Sequence, residues 1–359
     1  MKPALFALLA LSALAQPRIQ NARLEQRAVS GSLDATVRGI VSAQAAPVWI
    51  GYAAPQIPGE RQMCCWNTTN NVTCQGCSLE PQVTQPGFPQ TAAPVRLEGA
   101  TEFYVLLRAE DRKIGKIRQF SIDCNIDAGG LPVYWITGVT AAQSIALLES
   151  LMPAAAATFD GRGFDAREER RITDAAIGAI ALHRDPAADA ALDRLTDRTR
   201  PEETRRQAAF WLGNARGRHG YDSLVRILRD DPSDRVREHA IFALTQSKET
   251  DAIPTILRAA RDDKSAQVRG QALFWLAQRA GRQISEEAIR NAIEQDADTA
   301  VKKKAVFALT QIPNGDGVPM LIDVARRNKN DAVRREAMNW LGRSKDSRAL
   351  QFFEDVLTK

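Results

Sequence analysis

The sequence predicts an α-solenoid of helix pairs in its C-terminal half, preceded by a small α+β domain with an antiparallel sheet. Three observations lead there. One pattern returns as Ala208-Ala-Phe-Trp-Leu212, Ala240-Ile-Phe-Ala-Leu244, Ala272-Leu-Phe-Trp-Leu276, Ala305-Val-Phe-Ala-Leu309 and Ala337-Met-Asn-Trp-Leu341, with a weaker copy at Ala176-Ile-Gly-Ala-Ile180. The leading alanines stand 32 or 33 residues apart. Self-similarity at that period marks stacked units, each of which buries its apolar face only against its neighbours. Before Ala154 the period is absent, and short strand-like runs take its place.

A chain of 359 residues suggests two domains, and the elements divide it into a leader at 1–15, an α+β domain at 16–153, a join at 154–166 and the solenoid at 167–359. Lys2 supplies a positive start, Ala4 to Leu14 is a short apolar run, and Ala13-Leu14-Ala15 offers small residues for signal peptidase. The mature protein is expected to be exported, periplasmic or secreted, after cleavage near Ala15. No later window approaches the roughly 20 apolar residues of a membrane helix, so no membrane span is expected.

From Gln16 to Ser42 the pattern is weakly helical, with Leu33, Val37, Ile40 and Val41 on one face. Val48-Trp-Ile-Gly-Tyr52 reads as a strand, and a long Pro- and Gln-rich loop occupies 78–94. Strands follow at Val95–Glu98, Glu102–Arg108 and Lys116–Asp123, the last two joined by the turn Glu110-Asp-Arg-Lys113. The Glu102–Arg108 strand is apolar on both faces and therefore central. Val133-Tyr-Trp-Ile136 makes another strand, and a helix starts behind Thr140 as its cap.

The five cysteines sit in this half: Cys64, Cys65, Cys74, Cys77 and Cys124. In an exported protein they are disulfide candidates, with Cys124 either the odd thiol or a partner for the loop. Adjacent Cys64 and Cys65 do not suit one tetrahedral zinc ion, so no metal is assigned. The second reading makes those four loop cysteines a metal- or redox-active centre with the repeats as its docking platform. Asn67-Thr-Thr69 and Asn71-Val-Thr73 fit the glycosylation sequon.

In the repeats an amphipathic helix precedes each motif helix, and Asp, Ser or Asn residues before the motif can cap it, giving five pairs, a helix from Glu168 to His183 in front and a half-unit at Ser347–Thr358. At about 100° per residue, Val four before the motif alanine and Leu four after it share its buried seam. Two positions after the alanine the direction is opposite, and there stand Phe210, Phe242, Phe274 and Phe307. These are the partner-binding candidates, lateral packing between motif helices being the other explanation. The alternation Trp211, Ala243, Trp275, Ala308, Trp340 reads as core interdigitation. The net charge of +5 is spread through interspersed arginines and acids, which does not suggest a nucleic-acid footprint.

The string Asp-x-Val-Arg-x-x-Ala-x-x-Ala-Leu is complete at Asp234–Leu244 and nearly complete at Asp331–Leu341, where Trp340 replaces the second alanine. In this the chain resembles the HEAT family, in its short PBS-lyase-like variety, over Glu168 to Lys359. The resemblance implies an inter-repeat polar ladder at Arg205, Arg237, Arg269, Lys302 and Arg334, structural in role. Some relatives, the deoxyhypusine hydroxylases, hold iron with His-Glu pairs. His183, His219 and His239 are followed here by Arg184, Gly220 and Ala240, so the resemblance does not extend to that chemistry. No phosphate loop or nucleophile elbow is present, and no cofactor is expected. The expected function is an exported, non-enzymatic scaffold or adaptor for a protein or peptide partner.

Overall fold

The computed structural model describes residues 17–59, 66–68, 71–73, 77–80, 101–122, 124–152 and 164–358. The chain forms two compact units that meet in sequence between Ser144 and Ile145. Most of the expected join at 154–166, the strand at Val95–Glu98, and Cys64, Cys65 and Cys74 lie outside the described residues.

The first unit runs β1 (Ile19–Gln20), β2 (Arg23–Ala28), α1 (Leu33–Ala43), β3 (Val48–Pro55), β4 (Trp66–Thr68), β5 (Asn71–Thr73), β6 (Cys77–Ser78), β7 (Glu102–Glu110), β8 (Lys113–Ser121), β9 (Ile126–Asp127) and β10 (Pro132–Thr137). Its main sheet has the order β2-β10-β3-β7-β8. The sheet is antiparallel along β3-β7-β8, as expected, and parallel where β10 meets β2 and β3, so it is mixed. The weakly helical reading of 16–42 holds only from Leu33. Ahead of it, β1 and β2 are strands, and β2 is an edge whose mostly exposed side chains leave no alternation to read.

β7 is buried on both faces. Its hairpin to β8 turns at Asp111 and Arg112, both at positive φ, as a two-residue hairpin loop requires. Gly51 of β3 is needed because a Cβ there would lie 2.7 Å from Leu106 and 2.9 Å from Trp135. Those residues belong to one core with Trp49, Leu79, Tyr104, Phe120, Ile126 and Val133. Cys124 is buried in the same core and is disulfide-bonded.

Helix α2 (Ala141–Ser150) opens with a reciprocal cap: Thr140 Oγ1 accepts from the Gln143 N–H, and Gln143 Oε1 accepts from the Thr140 N–H. The second unit continues with α3 (Phe164–Leu182), α4 (Pro186–Leu195), α5 (Glu202–Ala215), α6 (Gly217–Asp230), α7 (Asp234–Leu244), α8 (Ala252–Asp262) and α9 (Ala266–Arg279). Then come α10 (Arg282–Gln295), α11 (Thr299–Leu309), α12 (Val318–Arg327), α13 (Asp331–Arg343) and α14 (Ser347–Leu357). From α4 to α13 these are the five expected pairs. The motif helices α5, α7, α9, α11 and α13 pack side by side, with α3 at the front.

The caps are Ser233, Ser265, Asp298 and Asn330, whose side chains accept first-turn N–H groups. The seam is buried as the periodicity requires. Val236, Ala240, Leu244, Val268, Ala272, Leu276, Val301, Ala305, Leu309, Val333, Ala337 and Leu341 are at most 1% exposed. The start of the next pair crosses close to the motif leucine's backbone at α6, α10 and α12. A Cβ on Gly220 or Gly317 would lie 1.9 Å from the Leu212 oxygen or 2.0 Å from the Leu309 oxygen, and at the matching place Ser285 Oγ donates to the Leu276 oxygen at 2.7 Å. Among the described residues no helix is long and apolar enough to cross a membrane.

Candidate functional site

Helical spacing places Phe210, Phe242, Phe274 and Phe307 away from the buried seam of α5, α7, α9 and α11, and all four are half-buried. Phe210 stacks on Phe242 with centroids 6.1 Å apart and planes at 16°, and Phe274 on Phe307 at 6.1 Å and 7°. Lateral packing between neighbouring motif helices therefore accounts for part of each ring. The remainder faces outward.

The tryptophans differ from the core expectation. Trp211, Trp275 and Trp340 are half-buried, while Ala243 and Ala308 are fully buried. Trp275 and Trp340 join the row against the preceding motif helix: Phe242 to Trp275 is 4.9 Å, and Phe307 to Trp340 is 4.9 Å. Trp211 and Trp275 meet their chain neighbours Phe210 and Phe274 edge-on at 5.5 and 5.0 Å. One aromatic row thus runs from Trp211 to Trp340 across α5, α7, α9, α11 and α13. Trp340 Nε1 donates to Glu336 at 2.9 Å, whereas Nε1 of Trp211 and Trp275 has no partner among the described residues.

Amides stand four residues after each phenylalanine: Asn214 and Gln278 within α5 and α9, and Gln246 and Gln311 just past the ends of α7 and α11, where their Nε2 donates to Thr245 and Thr310 at 2.8 Å. Each offers both a donor and an acceptor beside the row. Sequence reasoning missed them, although the signal was the same register shifted by four. Beside Phe242 and Trp275 an open hollow of about 550 Å³ is lined by Arg206, His239, Gln267 and Gln271. Burial, then the nearby Arg206, holds the His239 imidazole below its ordinary pKa. A larger hollow of about 820 Å³ lies between α8 and α10, with the Arg269–Asp296 pair in its wall.

The polar ladder has a definite pattern. Arg205 Nε donates to Asp231 at 2.9 Å, Arg237 Nε to Asp263 at 3.0 Å, and Arg269 Nε to Asp296 at 2.8 Å. Arg237 also donates to the Asp231 carbonyl at 2.8 Å, and Arg269 to the Asp263 carbonyl at 2.8 Å. Asp231 and Asp263 therefore each take a carboxylate bond from one repeat and a carbonyl bond from the next. The same carboxylates accept the N–H of Ser233, Ser265 and Asp298, so the acceptor sits two residues before each cap. Burial alone would raise the Asp296 carboxyl, but the bonds from Arg269 and the Asp298 N–H outweigh it and hold the pKa below normal. Asp234, the first residue of α7 after its cap Ser233, contributes as well, since it accepts from Arg237 and from Ser265.

Lys302 and Arg334 break the pattern. Asn328 stands where Asp231, Asp263 and Asp296 stand earlier, and Lys302 Nζ donates to the Glu294 carbonyl at 3.0 Å. Arg334 donates to the Asn328 carbonyl at 2.7 Å and pairs with Asp331 in its own first turn. The histidines do not converge: His183 is buried after α3, His219 meets Asp193 at 3.2 Å, and His239 lies under Phe210 and Phe242. Among the described residues no group of three or more His, Cys, Asp or Glu could hold a metal ion.

Residues 188–277 and 286–359 match the family model of HEAT repeats. HEAT repeats thus occupy 188–359. No curated protein matches the chain. Among solved structures, it is similar to the complex of CpcE and CpcF of phycocyanin lyase from Nostoc sp. PCC7120, with 21% identity and a TM-score of 0.31 over 57% of this chain and 76% of that one. It is also similar to human deoxyhypusine hydroxylase in complex with glycerol, with 18% identity and a TM-score of 0.25 over 59% and 77%. Likeness at that level carries nothing about activity.

Proposed function

We propose that this chain is an exported scaffold whose HEAT-repeat array grips an extended segment of another protein along the row from Trp211 to Trp340, with no reaction of its own. The observation that supports the reading most is the row itself. Large aromatic side chains recur in two adjacent registers across five helices, away from the seam that folding requires, and remain half-exposed. Aromatic anchors flanked by donor–acceptor amides are suited to side chains and backbone of an extended peptide. The Lys2–Ala15 leader and the bonded Cys124 support export.

The test is selection of a displayed random-peptide library on the purified chain, repeated with Phe242→Ala/Phe274→Ala. Peptides enriched on the parent and lost from the variant, with circular dichroism of the two proteins matching, support the reading. Failure to enrich any peptide, or equal enrichment by both proteins, defeats it.

A further inference from the structure

The class of that segment is legible in the charges beside the row, on the premise that the row is the binding face. One turn before each aromatic position, the side chains on the same side of the helix are Arg206 and Gln207, Glu238 and His239, Gly270 and Gln271, Lys303 and Lys304, then Arg335 and Glu336. The front of the row is balanced. Glu203 meets Arg206 at 2.8 Å, and Glu238 adds a second carboxylate.

The back is not balanced. Glu336 is tied to Lys303 at 3.1 Å and to the Trp340 indole at 2.9 Å, so its charge is already engaged. Lys304 lies against Gly270, where a Cβ would be 2.2 Å from its Cδ, and Arg343 covers the Trp340 ring at 5.2 Å. Among the described residues no carboxylate pairs with Lys304, Arg335 or Arg343. Three cations without a carboxylate partner among the described residues therefore stand on α11 and α13, at the back of an otherwise neutral aromatic row.

Ring geometry narrows the occupant further. Phe242 lies between Phe210 and Trp275, and Phe307 between Phe274 and Trp340, so each of these rings has an aromatic neighbour on both sides. Flat ligands such as nucleobases bind by stacking on free faces. Rings flanked on both sides by other rings leave less face for that and offer a continuous apolar surface to aliphatic side chains instead. We infer that the array takes an extended acidic peptide rich in aliphatic residues, with its carboxylates over α11–α13 and its backbone against Asn214, Gln246, Gln278 and Gln311.

Fluorescence anisotropy tests this with labelled dodecapeptides of alternating leucine and glutamate, or leucine and lysine, and with a labelled oligothymidine. The glutamate peptide is expected to bind saturably, and more weakly as salt rises. Lys304→Glu/Arg335→Glu should weaken it by about tenfold, while Arg261→Glu on the other helix row leaves it unchanged. Tighter binding of the lysine peptide or of the oligonucleotide overturns the inference, as does indifference to the Lys304/Arg335 reversal or no binding of the glutamate peptide. The library selection separates the two failures: enriched peptides that are basic or neutral sink the acidic partner and leave the binding face standing.

Discussion

The front and back of the repeat array are built from one motif but held differently. From α5 to α9 every arginine rung ends on a carboxylate, and Arg205 and Arg237 are almost fully buried with their acceptors. From α11 to α13 the rungs end on backbone carbonyls or on an exposed acid of the same helix. On the Lys302 rung both partners differ, with lysine in place of arginine and Asn328 in place of the aspartate. Buried ion pairs tie the front layers into one another. The back layers depend more on their apolar seam, and their cations are left free to face outward.

The sharpest way to break this comparison is to cut one rung in each half. Arg237→Ala leaves the Asp263 carboxylate without its cation and should cost about 3–5 kcal/mol. Arg334→Ala, whose ion pair is partly exposed, should cost about 1 kcal/mol or less. Urea unfolding compares the two, and equal losses would mean the rungs are equivalent after all.

Acid provides a second contrast, slightly smaller. His183 is buried with Nδ1 2.8 Å from the Ala179 carbonyl, and burial pushes its pKa down from 6.5 to about 4. A depressed folded-state value means the neutral ring stabilises fully above pH 6.5, and that stability is lost as pH falls towards about 4. The loss amounts to about 3 kcal/mol. At the other end Arg348 holds the Asp346 carboxyl at about 2, so its titration comes later. Hydrogen exchange between pH 6.5 and 4.5 should therefore show α3 and α4 loosening before α13 and α14, and His183→Gln should remove the difference.

The smallest effects concern glycine. Gly220→Ala drives a methyl into the Leu212 carbonyl and should destabilise by about 1–3 kcal/mol. Gly342→Ala meets nothing nearer than Phe353 at 3.9 Å, so the helix gains about 0.5–1 kcal/mol from its restricted unfolded state. Thermal melts of the pair should move in opposite directions.

How far the sequence disclosed all this depended on period. The array, its five pairs and its buried seam follow from alanines 32 or 33 residues apart, because every layer repeats the same constraint. The parallel contacts of β10 were hidden, since pairing direction leaves no mark on a strand's own residues. The edge strand β2 was hidden by exposure. At the face, the phenylalanines were legible from helical angle alone. The tryptophans were misplaced because large–small alternation serves a half-open row as well as a closed core. The acceptors Asp231, Asp263 and Asp296 were within reach, each standing 26 or 27 residues after its arginine.

The rings from Trp211 to Trp340 touch without a gap, and that contiguity limits what a bound chain can choose. Pushing Phe242 aside requires Phe210 and Trp275 to shift too, and Trp275 carries the shift on to Phe274. Neighbouring anchor positions are then not independent subsites. Preferences measured one residue at a time should fail to multiply, and selectivity will belong to whole segments rather than to single letters of them.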